Sequence, residues 1–198
     1  DVFYDIGANV GAYSFVAWAV SGGKSKIYSF EPGTPTFLAL EKNIALNRAS
    51  GYIAPYQIAC TEKSGKFVFH YRSKKPGDAS HVLTKEGESP DGKFRAATSE
   101  GVKGYALDDF IHKFGIEPPA HMKIDVDGAE LAVIRGAAKT IKSSGLRSIL
   151  IEIDEKQNEF QEIVDRIKDA GFTLHSKHQR GSAGKRVFNY IFVRETAI

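Results

Sequence analysis

The stretch Asp5-Ile6-Gly7-Ala8-Asn9-Val10-Gly11 decides how this 198-residue chain is read. Before it, the apolar run Val2 to Ile6 predicts a short strand; after it, apolar residues predict a helix from about Val10 to Val20. A glycine-bearing turn between a strand and a helix is where a doubly wound α/β fold places its ligand. Gly7 and Gly11 permit close backbone approach, and Asn9 is the non-glycine residue that best tolerates a left-handed backbone. A tight turn without a ligand would use the same residues, so the turn alone leaves both readings open.

Glu31 favours the ligand. It closes the next predicted strand, Lys26 to Phe30, at 31 − 11 = 20 residues beyond Gly11. That is the separation at which an acidic side chain reaches ribose hydroxyls in nucleotide-binding βαβ units. A carboxylate suits a diol because its two oxygens accept from both hydroxyls. The G-x-G-x-x-G spacing that seats a dinucleotide pyrophosphate is broken here, which disfavours a nicotinamide-dependent oxidoreductase.

Outward from this segment, strand and helix patterns alternate as in βαβ units with a mostly parallel sheet. Thr34-Pro35 offers an N-cap and a first-turn proline, and Phe37, Leu40 and Ile44 form one apolar face. Strands are predicted at Tyr56 to Ala59, with Ala59 and Cys60 closing it, and at Phe67 to Tyr71. Residues from about Ser73 to Gly104 read as one irregular, polar segment, a lid or a mobile insertion. Leu107 to Phe114 reads as a helix and His121 to Asp125 as a strand. Leu131, Ile134, Ala138 and Ile141 line one side of a further helix. Ser148 to Ile153, with Ile149, Leu150 and Ile151 in succession, predicts a strand covered on both faces. A helix with Phe160, Ile163, Val164 and Ile167 follows. Phe172 to His175 and Phe188 to Val193 have no helix between them and are expected to pair antiparallel.

Composition fits one soluble globular domain, 42% hydrophobic and 26% charged, with a formal charge of 27 − 24 = +3 that is too small to argue for nucleic acid. No apolar run approaches the roughly 20 residues needed to cross a bilayer. The single cysteine, Cys60, forms neither an internal disulfide nor a zinc cluster, and a cytoplasmic setting fits. Asp1 opens the chain already inside a strand, so an upstream segment is expected to precede it.

Gly7-x-Asn9-x-Gly11 preceded by Asp5 resembles the first motif of the class I methyltransferases, and within them the FkbM-type enzymes. Asp5 to Ser14 (DIGANVGAYS), Phe30 to Pro32 (FEP), Asn43 to Asn47 (NIALN), Leu107-Asp108-Asp109, Lys123 to Glu130 (KIDVDGAE) and Arg135-Gly136-Ala137 carry the likeness. Ile151-Glu152-Ile153 and Ala170-Gly171-Phe172 match more loosely, and Asp127 stands where members usually have Glu. The resemblance implies an α/β, Rossmann-like class I methyltransferase fold. Its sheet is seven-stranded and mostly parallel, with an antiparallel last strand and helices on both faces. It implies S-adenosyl-L-methionine as cofactor, S-adenosyl-L-homocysteine as product, and O-methylation of a small-molecule or carbohydrate hydroxyl, with upstream helices covering the acceptor side. Carried over by position, Asp5, Gly7, Asn9 and Gly11 hold the methionine end, Glu31 the ribose and Pro32 one side of the adenine. Ala59 and Cys60 lie near the other side.

An alcohol needs help losing its proton during attack. Asp125 is the first candidate base, with cofactor-tail binding and strand capping as its alternative roles. Glu152 and His81 are further catalytic candidates, with Asp127, Glu130 and Lys123 at nearby strand ends. Asp125 and Glu152 would offer magnesium only two ligands, so no metal site is expected. Two basic clusters, Arg72, Lys74 and Lys75, and His175, Lys177, His178 and Arg180 close to Gly181 and Gly184, read as solvated surface or as attraction for an acidic acceptor. Trp18 reads as core packing with Phe15. Asp125-Val126-Asp127-Gly128 stands where amine methyltransferases carry an Asn/Asp-Pro-Pro-aromatic run, which counts against nucleic-acid or protein nitrogen. A cofactor-binding module without turnover stays open, as does the oligomeric state.

Overall fold

A computed structural model describes residues 1–73, 75, 77–78, 81–90, 94–180 and 186–194. Eleven strands and five helices follow in chain order: β1 (Val2–Ile6), α1 (Ala12–Val20), β2 (Lys26–Phe30), α2 (Thr34–Leu46), β3 (Ile53–Tyr56), β4 (Ala59–Cys60), β5 (Gly65–Tyr71), β6 (Val82–Lys85), β7 (Thr98–Tyr105), α3 (Leu107–Phe114), β8 (His121–Ile124), α4 (Glu130–Gly136), β9 (Ser148–Asp154), α5 (Phe160–Asp169), β10 (Phe172–Gln179) and β11 (Val187–Arg194). Seven strands form one sheet in the order β10-β11-β9-β8-β1-β2-β3, and β4-β7-β5-β6 form a second.

In the large sheet β3, β2, β1, β8 and β9 run parallel, while β11 runs antiparallel to both β9 and β10. Period-two alternation sends Tyr4, Ile6, Tyr28, Phe30, Met122, Ile124, Ile149, Ile151 and Ile153 to one face, where α3, α4 and α5 cover them. On the opposite face Phe3 and Ile27 pack with α1 and α2 through Phe15, Trp18, Leu40 and Ile44. Helices thus lie on both faces, as expected.

β11 is held at both sides and at its end. Arg194 donates to the carbonyls of Ile141, Leu146 and Ala170 at 2.8, 3.0 and 2.7 Å and stacks its guanidinium 4.3 Å from the Phe172 ring centroid.

Several sequence expectations are corrected. The segment 73–104 is not structureless: it contains β6 and most of β7, which complete the second sheet around β5. Thr-Ser-Glu-Gly-Val-Lys-Gly-Tyr has too few apolar residues to announce a strand, and β7 takes its register from β5 instead. Ala59 and Cys60 do not close the third strand; they form β4, which pairs with β7 in the second sheet. Gly33, not Thr34, is the N-cap of α2, and the Thr34 hydroxyl accepts from Gln57. The helix α1 starts at Ala12, because Gly11 sits at φ 97. In α4 the buried face is Val133 and Ile134, continued by Ala137, with Ala138 exposed; the helix ends at Gly136. β9 alternates, and Leu150 is only half-buried, so its two faces are not equally covered.

Two of the quoted motifs prove to be scaffold. The Asp108 carboxylate accepts the N–H groups of Lys139 and Thr140 and the Thr140 hydroxyl at 2.7, 2.9 and 2.6 Å, tying the start of α3 to the turn beyond α4. Gly136 lets α4 meet the chain beyond β4: a Cβ there would overlap the Thr61 carbonyl oxygen. Gly136→Ala is therefore expected to lower stability by roughly 1–3 kcal/mol through overpacking, read as a reduced urea midpoint with an unchanged slope.

Candidate active site

In register, Ser29, Asp5 and Lys123 lie side by side on three adjacent strands, on the α1 side of the sheet. A polar row in a buried sheet must be satisfied internally. Ser14, the one fully buried residue of α1, donates to Asp5 Oδ2 at 2.6 Å and sits 2.7 Å from the Ser29 hydroxyl. Lys123 Nζ lies 3.1 Å from Asp5 Oδ1 and donates to the Gly7 carbonyl at 2.7 Å; the Tyr13 ring lies over it at 5.2 Å. The ammonium thus anchors the backbone at the end of β1 from below. From above, Asn43 donates to the Val10 carbonyl at 2.9 Å, which gives the NIALN motif its purpose.

The loop between these anchors is left-handed at Gly7, Asn9 and Gly11 (φ 73, 51 and 97). At Gly7 the loop touches the end of β8, where a Cβ would overlap the Asp125 carbonyl oxygen. The side-chain oxygen of Asn9 accepts from the Val10 N–H at 2.8 Å, an Asx contact that explains a left-handed non-glycine residue. Glu31 takes the N–H of Asn9 at 3.0 Å and that of Gly33 at 2.9 Å, one on each oxygen. Burial pushes the Glu31 carboxyl up to about 7, against the pull of those two N–H groups and of Lys123.

A cavity of ≈ 360 Å³ opens above the loop. Gly7, Asn9, Glu31, Pro32, Ala59, Cys60, Asp125, Glu152 and His81 all line it, so the structure gathers nine of the residues singled out in the sequence. Asp5 and Gly11 are not on its wall. Asp5 is fully buried beneath it as the counterion of Lys123, and Gly11 packs against Leu40 and Phe15, so both support the loop and neither faces the cavity. Cys60 is buried, and desolvation pushes its thiol up to about 12, which suits packing rather than nucleophilic attack.

At the opposite end from Glu31, Arg180 donates to Glu152 at 2.6 Å, with Asp125 Oδ2 3.8 Å from both Arg180 and Lys123. Burial and the neighbouring Asp125 charge raise the Glu152 carboxyl, and Arg180 opposes them. Glu130, last of the KIDVDGAE motif, bends back to accept the N–H groups of Gly128 at 3.1 Å and Val126 at 3.4 Å. It thereby fixes the left-handed turn at Asp127 and Gly128 (φ 53 and 99).

A second cavity of ≈ 270 Å³ adjoins the first and shares His81, Asp127 and Glu152 with it. Arg72, Phe94, Glu130, Asp154 and Gln157 complete much of its wall. Arg72 and Arg180, read in the sequence as possible surface charge, therefore line cavities. Lys75, His175, Lys177 and His178 are exposed and line neither cavity, and Lys177 pairs with Glu155. Lys74, Gly181 and Gly184 lie outside the described residues. His81 is buried, not a solvated loop residue. The sequence missed Phe69 and Leu83, wall residues supplied by the unrecognised second sheet; only the alternation of Phe67, Phe69 and Tyr71 hinted at them. Among the described residues no group of three or more His, Cys, Asp or Glu side chains is placed to hold a metal ion. None of the described helices is long and apolar enough to cross a membrane.

The methyltransferase FkbM domain matches residues 5–174. The chain belongs to this family. It is 26% identical over 153 residues to hexuronic acid methyltransferase AglP of Haloferax volcanii, covering 77% of this chain and 56% of that protein. It is 24% identical over 217 residues to 31-O-demethyl-FK506 methyltransferase FkbM of Streptomyces tacrolimicus, covering 100% of this chain and 82% of that one. Among solved structures, methyltransferase FkbM from Methylobacillus flagellatus KT superposes with a TM-score of 0.67 at 15% identity, over 96% of this chain and 43% of that one. Aeropyrum pernix fibrillarin in complex with S-adenosyl-L-methionine superposes with a TM-score of 0.57 at 13% identity, over 97% and 65%. This chain thus has the class I methyltransferase fold, and it spans about half the length of the AglP and M. flagellatus proteins.

Lys123→Met is expected to strand the Asp5 carboxylate in the core and cost about 3–5 kcal/mol. Lys123→Met combined with Asp5→Asn should recover more than half of that loss, both read by urea denaturation.

Proposed function

We propose that the protein is an S-adenosylmethionine-dependent O-methyltransferase acting on a hydroxyl of a carbohydrate or similarly oxygenated small molecule. One observation carries this reading. A cavity with the buried carboxylate of Glu31 at one end meets at its other end a second cavity walled by carboxylates, and Glu152 belongs to both. The residues fit the cofactor: the loop has no side chain at Gly7, Pro32 offers an apolar face for a purine, and the excess of carboxylates suits a cationic sulfonium. When bound, S-adenosylmethionine supplies a methyl group on positively charged sulfur.

The division of labour follows from placement. Glu31 accepts the ribose hydroxyls, and Asp125, which lines only the first cavity, accepts from the amino group of the methionine tail. Glu152 reaches both cavities and would take the hydroxyl proton of the acceptor on a carboxylate oxygen as the oxygen–methyl bond forms and the methyl–sulfur bond breaks, leaving neutral S-adenosylhomocysteine. Its raised proton affinity makes it a better base than an exposed carboxylate, and Arg180 holds it in place. The second cavity is rich in acceptors for hydroxyl hydrogens, and Arg72 adds a cation for an acidic sugar. The relative AglP is named for hexuronic acid, which accords with that mixture.

Calorimetry with S-adenosylmethionine, S-adenosylhomocysteine and NAD, followed by transfer of labelled methyl to hexuronate-containing saccharides, tests the reading. Binding of NAD in place of both sulfur compounds would sink it. S-adenosylhomocysteine affinity should hold steady above pH 7 and weaken as pH falls below it, because protonation of Glu31 removes an acceptor for the ribose; Glu31→Gln should flatten that profile. Glu152→Gln should slow single-turnover transfer by about 100-fold or more while leaving S-adenosylhomocysteine affinity within twofold, roughly the difference expected from an uncharged isostere.

A further inference from the structure

His81 stands at the junction of the two cavities and is held from several directions. Its ring lies edge-on between Phe69 and Tyr71, with centroids 5.4 and 5.3 Å away, and its backbone N–H points to Asp127 Oδ2 at 3.3 Å. Nδ1 accepts the Arg72 backbone N–H at 3.3 Å. A nitrogen that accepts carries no proton, so the neutral ring bears its hydrogen on Nε2. Nε2 is buried and has no partner among the described residues. A buried donor left without an acceptor is costly, and turning the ring would break the contact of Nδ1 with the Arg72 N–H.

We infer that His81 is a specificity-determining residue. Its Nε2–H donates to an oxygen of the methyl acceptor beside the hydroxyl that is methylated, so the second cavity selects a hydroxyl flanked by another oxygen. This rests on the methyltransferase reading. It also revises the expectation of His81 as a base: the lone pair a base requires is on Nδ1, already engaged by Arg72. Glu152 is left to take the proton.

Two alcohols that share a carbon ring and differ by one oxygen isolate the effect. The full chain, labelled with 15N in its histidines and saturated with S-adenosylhomocysteine, is titrated with trans-1,2-cyclohexanediol and with cyclohexanol, following the His81 ring nitrogens by NMR. The expected result is an Nε2-protonated ring, a shift of Nε2 with the diol only, and diol binding about tenfold tighter, the effect of one net hydrogen bond. Two variants separate donor from packing. His81→Gln places an amide N–H near Nε2 and should keep the preference; His81→Asn places its oxygen near Nδ1, still accepts from Arg72, and should lose it. An Nδ1-protonated ring, equal affinity for the two alcohols, a preference that survives in His81→Asn, or no response to either alcohol would each overturn the inference. Failure of S-adenosylhomocysteine itself to bind would instead overturn the methyltransferase reading.

Discussion

The site depends on one buried cation. Lys123 comes from the middle of the sheet, where an unpaired ammonium would be prohibitively costly. It is tolerated because the register places Asp5 beside it and because the chain turns at Gly7 so that a backbone carbonyl points down at it. The same contacts decide where the loop lies. Ser14 and Ser29 complete the shell, so the first helix is attached to the sheet by polar bonds from its one buried residue.

Above this base the chain relies on close backbone contact. Gly7 meets the carbonyl of Asp125, and two separate strand ends become one continuous floor. Glu130 performs the matching task at the end of β8, collecting the N–H groups of its own turn. The carboxylates of KIDVDGAE thus divide their work: Glu130 shapes the turn, while Asp125 and Asp127 face the cavities.

Much of this was legible in the sequence because the inner parallel strands of the large sheet are apolar runs that alternate with helices of clear periodicity. The loop from Asp5 to Gly11 and Glu31 announced themselves through glycine spacing and a fixed separation. The second sheet did not. β4 and β6 are short, β7 is poor in apolar residues, and β6 and β7 are ordered by pairing with β5, which no local pattern records. Direction was equally hidden: Asp5 and Gly7 are two residues apart, yet one is counterion and the other cavity wall, because β1 ends at Ile6 and the chain turns at Gly7 into a left-handed conformation. The role of Arg180, just beyond β10, depends on β11 pairing with both β9 and β10, a relation between segments far apart in the chain.

That placement of β11 has a bearing on how the protein is made. Although it comes later in the chain than β10, it lies inside the sheet, with β9 on one side and β10 on the other. While the ribosome is still producing the residues before Val187, β9 presents an open edge of buried-type isoleucines and β10 has no strand to join. Exposed edges of this kind invite pairing with other chains. The half of the sheet carrying Glu152 and Arg180 can therefore close only after translation of β11, with Arg194 locking the end in place. Nascent chains halted short of β11 should be the ones that chaperones must guard.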